Sequence, residues 1–236
     1  TQVLASTAIT LAAQRARTVG DRKAWVMGAA ILAPALPRTI MVSTTATTGG
    51  RVGNQEGRDG TFSQPGTLRD GTPLTIRAMR PDDRERIVAA FAKLDANTIY
   101  TRFFSHRKEI PAAVLDRIAA IDFVNLAGLV ATIGSGTHET VIASATYVGI
   151  PAADGAKAAE VAFTVEEDYQ GQGLASKLLA ALAMLARRHG IVRFEADVLA
   201  GNAAMLSVFQ RSGLPMHRGR IEGGAVHITL DLAAPA

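Results

Sequence analysis

The sequence predicts an α+β domain on a mixed sheet, because strand-like and helix-like segments follow one another in a recognisable order. Two strands come first, then two or three short helices, three strands, a helix, a strand, a helix and two closing strands. Alternating apolar residues mark the strands, and apolar residues three or four apart mark the helices. This order is typical of domains in which helices pack on a sheet around one core.

Turn and helix-boundary signals set the limits of these segments. An Asp-Gly pair predicts a hairpin turn at Leu68–Thr72, Pro81 opens the first helix, and Gly190 and Gly213 follow helices, as C-terminal glycines do. The segments between them are strands at Leu74–Ala78, Val124–Ile133, Thr140–Val148, Ala158–Val165, Ile191–Val198 and around Glu222–Gly224, and helices at Asn97–Phe104, Pro111–Ala120, Leu174–His189 and Asn202–Arg211.

The charge distribution argues against a nucleic-acid partner. Of the 25 basic and 21 acidic residues, seven and three lie in residues 1–66, which leaves 18 of each sign in residues 67–236. The body of the protein is therefore neutral, whereas a phosphate-backbone binder needs a clustered cationic face. No membrane partner is expected either, because the apolar run Ala24–Leu36 is shorter than the roughly 20 residues that span a bilayer.

Residue types also exclude some chemistry. The 236 residues include no cysteine, which removes disulfides, thiolate metal sites and cysteine nucleophiles and fits a reducing, cytoplasmic compartment. The five histidines form no i,i+4 pair, so no metal is expected.

Two regions are predicted along the chain. Residues 1–66 are expected to be a weakly structured N-terminal extension and linker, and residues 67–236 the ordered domain. The first region is Arg-bearing and poor in acids, as targeting segments are, but it meets the signal-peptide pattern only in part. Residues 42–66 are rich in Ser, Thr and Gly, which is typical of flexible linkers.

The loop between the strand ending at Val165 and the helix starting at Leu174 carries the clearest functional signal. It holds Gly171 and Gly173 directly before a helix N-terminus. Backbone N–H groups there lack intrahelical acceptors, and the helix dipole is positive. Because glycines let that backbone approach an anion closely, the loop predicts a phosphate or pyrophosphate site.

Two phosphate-binding families fit this loop to different degrees. The run Gly171–Ser176 is similar to the dinucleotide motif G-x-G-x-x-G, and Glu195 follows at about the right distance. However, the third glycine is Ser176, and too little chain follows for a doubly wound sheet. The loop better resembles the R/Q-x-x-G-x-G/A signature of the GNAT superfamily of N-acetyltransferases, with Gln170, Gly173 and Ala175 at the defining positions.

Other segments resemble the same superfamily across about residues 67–233. They are Ile76–Asp82 and Tyr100–Phe104, similar to bacterial protein-lysine acetyltransferases, and Asn202–Met205 and Phe209–Leu214, similar to the next family element. The resemblance implies a GNAT-like mixed, mostly antiparallel sheet with helices on both faces. It also implies acetyl-CoA as co-substrate and a bulged strand 160–165 that splays from the strand 191–198.

The resemblance also assigns the cofactor contacts. Main-chain groups near Phe163, Thr164 and Val165 are expected to bond the pantetheine arm, and Asn202 either contacts the cofactor, braces the splay or simply caps its helix. The pyrophosphate is expected on the loop amides of Gln170, Gly171, Gln172, Gly173, Leu174, Ala175 and Ser176.

Glu160 is the candidate catalytic residue. It matches the general base of the protein-lysine branch, and strand alternation places it on one face with Ala162 and Thr164. The alternative is a solvated strand glutamate. Many family members place a tyrosine near the position of Phe209 to protonate the leaving thiolate. Here either water or Tyr169 would serve instead, or the thiolate would leave without a proton donor.

The function predicted from the sequence is transfer of an acetyl group from acetyl-CoA to a primary amine, preferably a protein lysine, by direct attack in a ternary complex. Two alternatives stay open: a small-molecule amine acetyltransferase, and a non-catalytic acyl-CoA sensor. A sensor should tolerate the loss of Glu160, whereas an enzyme should not.

Overall fold

The computed structural model describes residues 59–152 and 154–233. Short 3-10 turns at Pro81–Asp83, Gly136–His138 and Glu167–Tyr169 connect some of the elements. In chain order, these are β1 (Ser63–Thr67), β2 (Pro73–Ala78), α1 (Arg84–Phe91), α2 (Ala96–Phe103), α3 (Ala112–Ala119), β3 (Leu126–Ile133), β4 (Thr140–Pro151), β5 (Lys157–Val165), α4 (Leu174–Arg188), β6 (Arg193–Leu199), α5 (Ala203–Gln210), β7 (Met216–Glu222) and β8 (Ala225–Asp231).

The strands form one sheet in the order β1-β2-β3-β4-β5-β6-β8-β7. Every neighbouring pair is antiparallel except β5 and β6, which run parallel. The predicted α+β class with a mixed, mostly antiparallel sheet is therefore confirmed. A parallel pair needs a crossover connection, and α4 supplies it.

Helices cover both faces of this sheet, as predicted. The α4 residues Leu178, Leu182 and Leu185 are fully buried in the main core, which also takes Leu129 of β3. The next residue of β3, Val130, belongs to a smaller cluster with Ile118 of α3 and the α1 residues that pack against it. Alternation along β3 thus separates the two layers of core.

The ordered body extends further toward the N-terminus than the sequence suggested. β1 pairs with β2 across the predicted Leu68–Thr72 turn, so the sheet begins before Thr67. Asp59 is also fully buried, and its carboxylate bonds Nε2 of His189 at 2.6 Å and Nη1 of Arg188 at 2.8 Å. The rest of the predicted N-terminal extension lies outside the described residues.

A buried ion network joins the first strands to α1. The Arg77 guanidinium donates to both carboxylate oxygens of Asp83 at 2.7 Å and to Glu139 at 2.9 and 3.0 Å. Burial alone would raise the pKa of Asp83, but the hydrogen bonds from Arg77 and from the Arg80 N–H outweigh it and lower that pKa. The fork geometry of arginine suits this double recognition of carboxylates.

β5 and β6 separate after only three paired residues. Their parallel register runs from Ala158 opposite Arg193 to Glu160 opposite Glu195 and stops there, whereas β6 pairs with β8 along its whole length. The predicted splay is therefore present. The predicted bulge is wrong, because β5 keeps an unbroken register with β4 from Lys157 to Val165.

The buried contact between Asp59 and His189 is predicted to stabilise the fold. The variant Asp59→Ala leaves the His189 ring, only 8% exposed, without its partner. We expect it to lower the free energy of unfolding by about 1–3 kcal/mol, the cost of an unsatisfied buried polar group. Urea denaturation at neutral pH measures the change.

The matched control is Asp116→Ala, which removes a carboxylate that is 72% exposed and 3.6 Å from Arg84. An exposed pair of this kind contributes little, so the control should be nearly silent. Equal and small effects in both variants would show that the contact made by Asp59 does not stabilise the fold.

Candidate functional site

The loop before α4 presents a row of unbonded amides. No backbone or side-chain oxygen in the described ranges accepts a hydrogen bond from the N–H groups of residues 171–176, and the first intrahelical bond is Lys177 N–H to Gly173 O. Gly171 and Gly173 have φ of 72° and 83°, in the left-handed region that favours glycine. The loop thus combines unbonded backbone N–H donors with the positive end of a helix dipole, as anion sites do.

The glutamine side chains of this loop hold its shape. Gln170 Nε2 donates to Thr98 Oγ1 at 3.1 Å and to Val165 O at 3.2 Å. Gln172 Oε1 accepts from the Arg69 N–H at 3.1 Å. Of the residues predicted to bind pyrophosphate, these two therefore use their side chains to bond neighbouring elements, and pyrophosphate contact by their backbone N–H groups stays a prediction.

Residues that the sequence analysis missed complete this support. Asp95 caps α2 through the Thr98 N–H at 2.6 Å, and its own N–H donates to Glu167 Oε1 at 3.0 Å. α2 is thereby bonded to the β5–α4 connection at two points. The Asp-x-x-Thr spacing at the start of α2 is a recognisable cap, but nothing in the sequence indicates which loop it meets.

The free edge of β5 leads from this loop to Glu160. Beyond Glu160, the backbone groups of residues 161–165 that point away from β4 have no strand partner, because β6 has turned away. The Phe163 side chain packs on Phe209 with ring centroids 6.0 Å apart. The main-chain N–H and C=O of Phe163 remain on the edge of β5 that β6 leaves unpaired. Val165 lies on the same free edge, where its carbonyl accepts from Gln170 Nε2. The main-chain groups of Thr164 point toward β4 instead, because successive residues of a strand face opposite edges. The free edge of β5 from Glu160 to Val165 is roughly 16 Å long at 3.3 Å per residue.

Asn202 lies just beyond β6 and caps α5. Its Oδ1 accepts from the Met205 N–H at 3.0 Å, and its own N–H donates to Leu199 O at 2.8 Å. The capping interpretation left open by the sequence is therefore correct. Only its Nδ2 is available for a ligand, and contact with a cofactor stays a prediction.

Glu160 sits where β5 and β6 part. Its carboxylate is half-buried and has no hydrogen bond from any described residue. Burial raises its pKa above the ordinary value; Asp197 and Glu195 on β6 add to that rise, and Arg102 of α2 and Arg117 of α3 oppose it. A half-buried carboxylate with a raised pKa in a groove is typical of a general base.

Two aromatic residues are relevant to which group could donate a proton to the leaving thiolate. Phe209 is 1% exposed and has no donor group, so it cannot supply a proton. Tyr169 lies in the 3-10 turn before the glycine loop. Burial raises the pKa of its phenol, as do the carboxylates of Glu166, Asp168 and Asp70, so Tyr169 keeps its proton near neutral pH.

The described residues show neither a metal-binding group nor a membrane-spanning helix. Their His, Asp and Glu side chains form no group of three that could hold a metal ion. Among the same residues, no helix has both the length and the apolar character needed to cross a membrane.

Comparison with known proteins places this geometry in a family. A family model described as an acetyltransferase (GNAT) domain matches residues 73–215. Acetyltransferase Pat of Mycolicibacterium smegmatis is 37% identical over 149 residues, which are 63% of this chain and 43% of that protein. Acetyltransferase PA5475 of Pseudomonas aeruginosa is 32% identical over 59% of this chain and 73% of its own. The chain therefore spans less than half the length of Pat.

Solved structures agree with the fold. The GNAT domain of S. lividans PAT matches with a TM-score of 0.64 and 36% identity, over 72% of this chain and 96% of that one. The acetyltransferase yncA of Salmonella typhimurium, solved with acetyl-CoA, matches with a TM-score of 0.55 and 21% identity, over 69% and 96% of the two chains. At that identity the likeness concerns the fold alone.

The left-handed glycine at the start of α4 predicts a binding defect on substitution. In Gly173→Ala, either the residue keeps its φ at a cost of about 1–2 kcal/mol or it relaxes and turns the free amides away. We expect the affinity for coenzyme A to fall by about tenfold or more, since hydrogen bonds to charged groups are worth roughly 1.5–3 kcal/mol each. Calorimetry measures it.

Gly213→Ala is the matched control, since Gly213 has φ of 76° and an added Cβ there also meets open space. It should cost similar stability and leave the coenzyme A affinity unchanged. Wild-type affinity in Gly173→Ala would show that the loop does not hold the phosphates.

Proposed function

This chain belongs to the GNAT acetyltransferase family, and from that premise we propose that it moves the acetyl group of acetyl-CoA to a primary amine of a protein lysine. The observation that carries the proposal is the juxtaposition of two features along β5. Free amides lie at one end of its unpaired edge, and a half-buried carboxylate of raised pKa lies at the other.

The described residues fit the co-substrate. The N–H groups of residues 171–176 suit a pyrophosphate, and the free edge of β5 near Phe163–Val165 suits an amide-bearing arm. When bound, acetyl-CoA supplies the acetyl thioester.

Glu160 is proposed to remove a proton from the acceptor amine. A lysine amine has a pKa of about 10.4 and is protonated at neutral pH, so it is not nucleophilic until a base takes that proton. The raised pKa of Glu160 brings the carboxylate closer to the pH at which it works. Because the sequence contains no cysteine, no acyl-cysteine can form, and the amine is expected to attack directly.

A protein lysine is proposed as acceptor on the resemblance of Tyr100–Phe104 and Ile76–Asp82 to bacterial protein-lysine acetyltransferases. The similarity to acetyltransferase Pat supports the same choice. A cytoplasmic location is proposed with it, since lysine acetylation by acetyl-CoA needs a compartment that holds both. Labelled acetyl-CoA and a cell lysate, read by mass spectrometry, would name the acceptor, and labelling confined to small molecules would contradict it.

Binding of acetyl-CoA should stabilise the fold. At 100 times its dissociation constant, a ligand adds about 2.7 kcal/mol to the free energy of unfolding, and the melting temperature should rise accordingly. The control is a short acetyl thioester that lacks the pyrophosphate and should give little shift. An unchanged melting temperature with saturating acetyl-CoA would overturn the co-substrate assignment.

The variant Glu160→Gln keeps the shape of the side chain but cannot accept a proton. We expect turnover to fall by about 10²–10⁴-fold, with acetyl-CoA affinity within a few-fold of wild type. In the wild type, Glu160 acts only when ionised, so the rate should rise with pH through its raised pKa. That limb should be absent from the pH–rate profile of the variant.

The control is Glu195→Gln, which removes a carboxylate that raises the pKa of Glu160. It should keep turnover and move the limb to lower pH. An unchanged profile in Glu160→Gln would assign Glu160 to a structural role.

A further inference from the structure

Three arginines on α2, α3 and the connection between them have no acidic partner among residues 59–152 and 154–233. Arg102, Arg107 and Arg117, the arginine cluster, are half-buried, and no carboxylate of the described ranges lies within salt-bridge distance of them. The guanidinium carbons of Arg102 and Arg107 lie 4.9 and 5.9 Å from the centre of the same Phe103 ring. Nε of Arg107 is buried without a hydrogen-bond acceptor.

This lack of partners is unusual within the fold. Arg77 and Arg193, which are also largely covered, each bond two carboxylates. Burial of a cation is costly unless it is paired, and burial lowers the pKa of Arg102 to about 10. The part of the chain that the structure describes therefore satisfies its other covered arginines and leaves this cluster ready for an anion from outside.

Arg102 lies near Glu160, because the helix α2 that carries it packs against β5. The charges of Arg102 and Arg117 both act on the pKa of Glu160, and that of Arg117 also acts on Arg102. Glu195, which pairs with Glu160 across β5 and β6, and Asp197 of β6 act on the pKa of Glu160 with the opposite sign. The proposed base is thus near two arginines, Arg102 and Arg117, called the basic wall, and two carboxylates of β6, called the acidic wall.

These two walls suit an acceptor that carries both charges. The acidic wall attracts an ammonium, whereas the arginine cluster repels it unless an anion comes with it. Resting on the function proposed above, we propose that the arginine cluster binds the carboxylate of an Asp or Glu residue close to the acceptor lysine. Arginine recognises carboxylates through paired, charge-assisted hydrogen bonds, which makes it suited to this selection. The phosphates of acetyl-CoA are not the expected anion, because the free loop amides lie at the other end of β5.

The test compares paired peptides. Each pair has one lysine and either Glu or Gln at a single position, scanned through the three residues on each side. The measured quantity is the ratio of kcat/KM for the Glu peptide to that for the Gln peptide. At the best position we expect a ratio of roughly tenfold to a hundredfold in the wild type, the range for hydrogen bonds to charged groups.

The variants Arg102→Gln and Arg117→Gln should reduce this ratio toward one. Because both peptides share Glu160 and acetyl-CoA, changes in its pKa or in cofactor binding cancel in the ratio. Arg220→Gln, which removes the same charge from an exposed position on β7, should retain it. A wild-type ratio near one at every position, or a ratio unaffected by both cluster variants, would overturn the proposal, as would a selective loss of acetyl-CoA affinity.

A binding measurement separates this proposal from the function on which it rests. The best Glu peptide is made with norleucine in place of lysine, and its fluorescence anisotropy is followed with the wild type and the cluster variants. Arginine-dependent binding without acetylation of any lysine peptide would support the anion site and contradict lysine transfer. Acetylation without preference for the Glu peptide would support lysine transfer and contradict the anion site, and neither binding nor acetylation would contradict both.

Discussion

The separation of β5 from β6 is the constraint on which the site depends. In a continuous parallel pair, the backbone groups of residues 161–165 that point away from β4 would bond β6. Here β6 stays paired with β8 on its other edge and diverges from β5, so the β5–β6 pair ends at Glu160 and Glu195. Buried backbone polar groups need partners, so the opening favours a ligand that bears its own amides. The packing of Phe163 on Phe209 keeps aromatic surface beneath that opening.

The same separation defines the electrostatics of Glu160. Glu160 is the last residue of β5 that pairs with β6. Charges from three elements act on its carboxylate: Arg102 of α2, Arg117 of α3, and Glu195 with Asp197 of β6. Burial and the two β6 carboxylates together outweigh the two arginines. The carboxylate is therefore easier to protonate than a free glutamate, which a stabilising ion pair would have prevented.

Local patterns were sufficient to predict the glycine loop, α4 and the face on which Glu160 lies, because each depends on neighbours in sequence. β1 was missed because Pro65 and Gly66 look like linker residues, although an edge strand tolerates them. The bonds from Gln170 to Thr98 and from Asp59 to His189 join residues 72 and 130 positions apart, so no local pattern reports them. The bulge expected in β5 was wrong: β5 keeps its register with β4, and the divergence of β6 from β5 after Glu195 suffices to open the sheet.

Amide hydrogen exchange with and without acetyl-CoA tests the central claim most directly, because the free amides are the feature on which the site is built. They exchange fast when no acceptor covers them. The account predicts that acetyl-CoA slows exchange at residues 171–176 and along the free edge of β5, where free amides gain an acceptor. The strands β1 and β2 should slow only by the amount that the added stability of the whole fold gives them. Unchanged exchange at residues 171–176, with protection elsewhere, would contradict it.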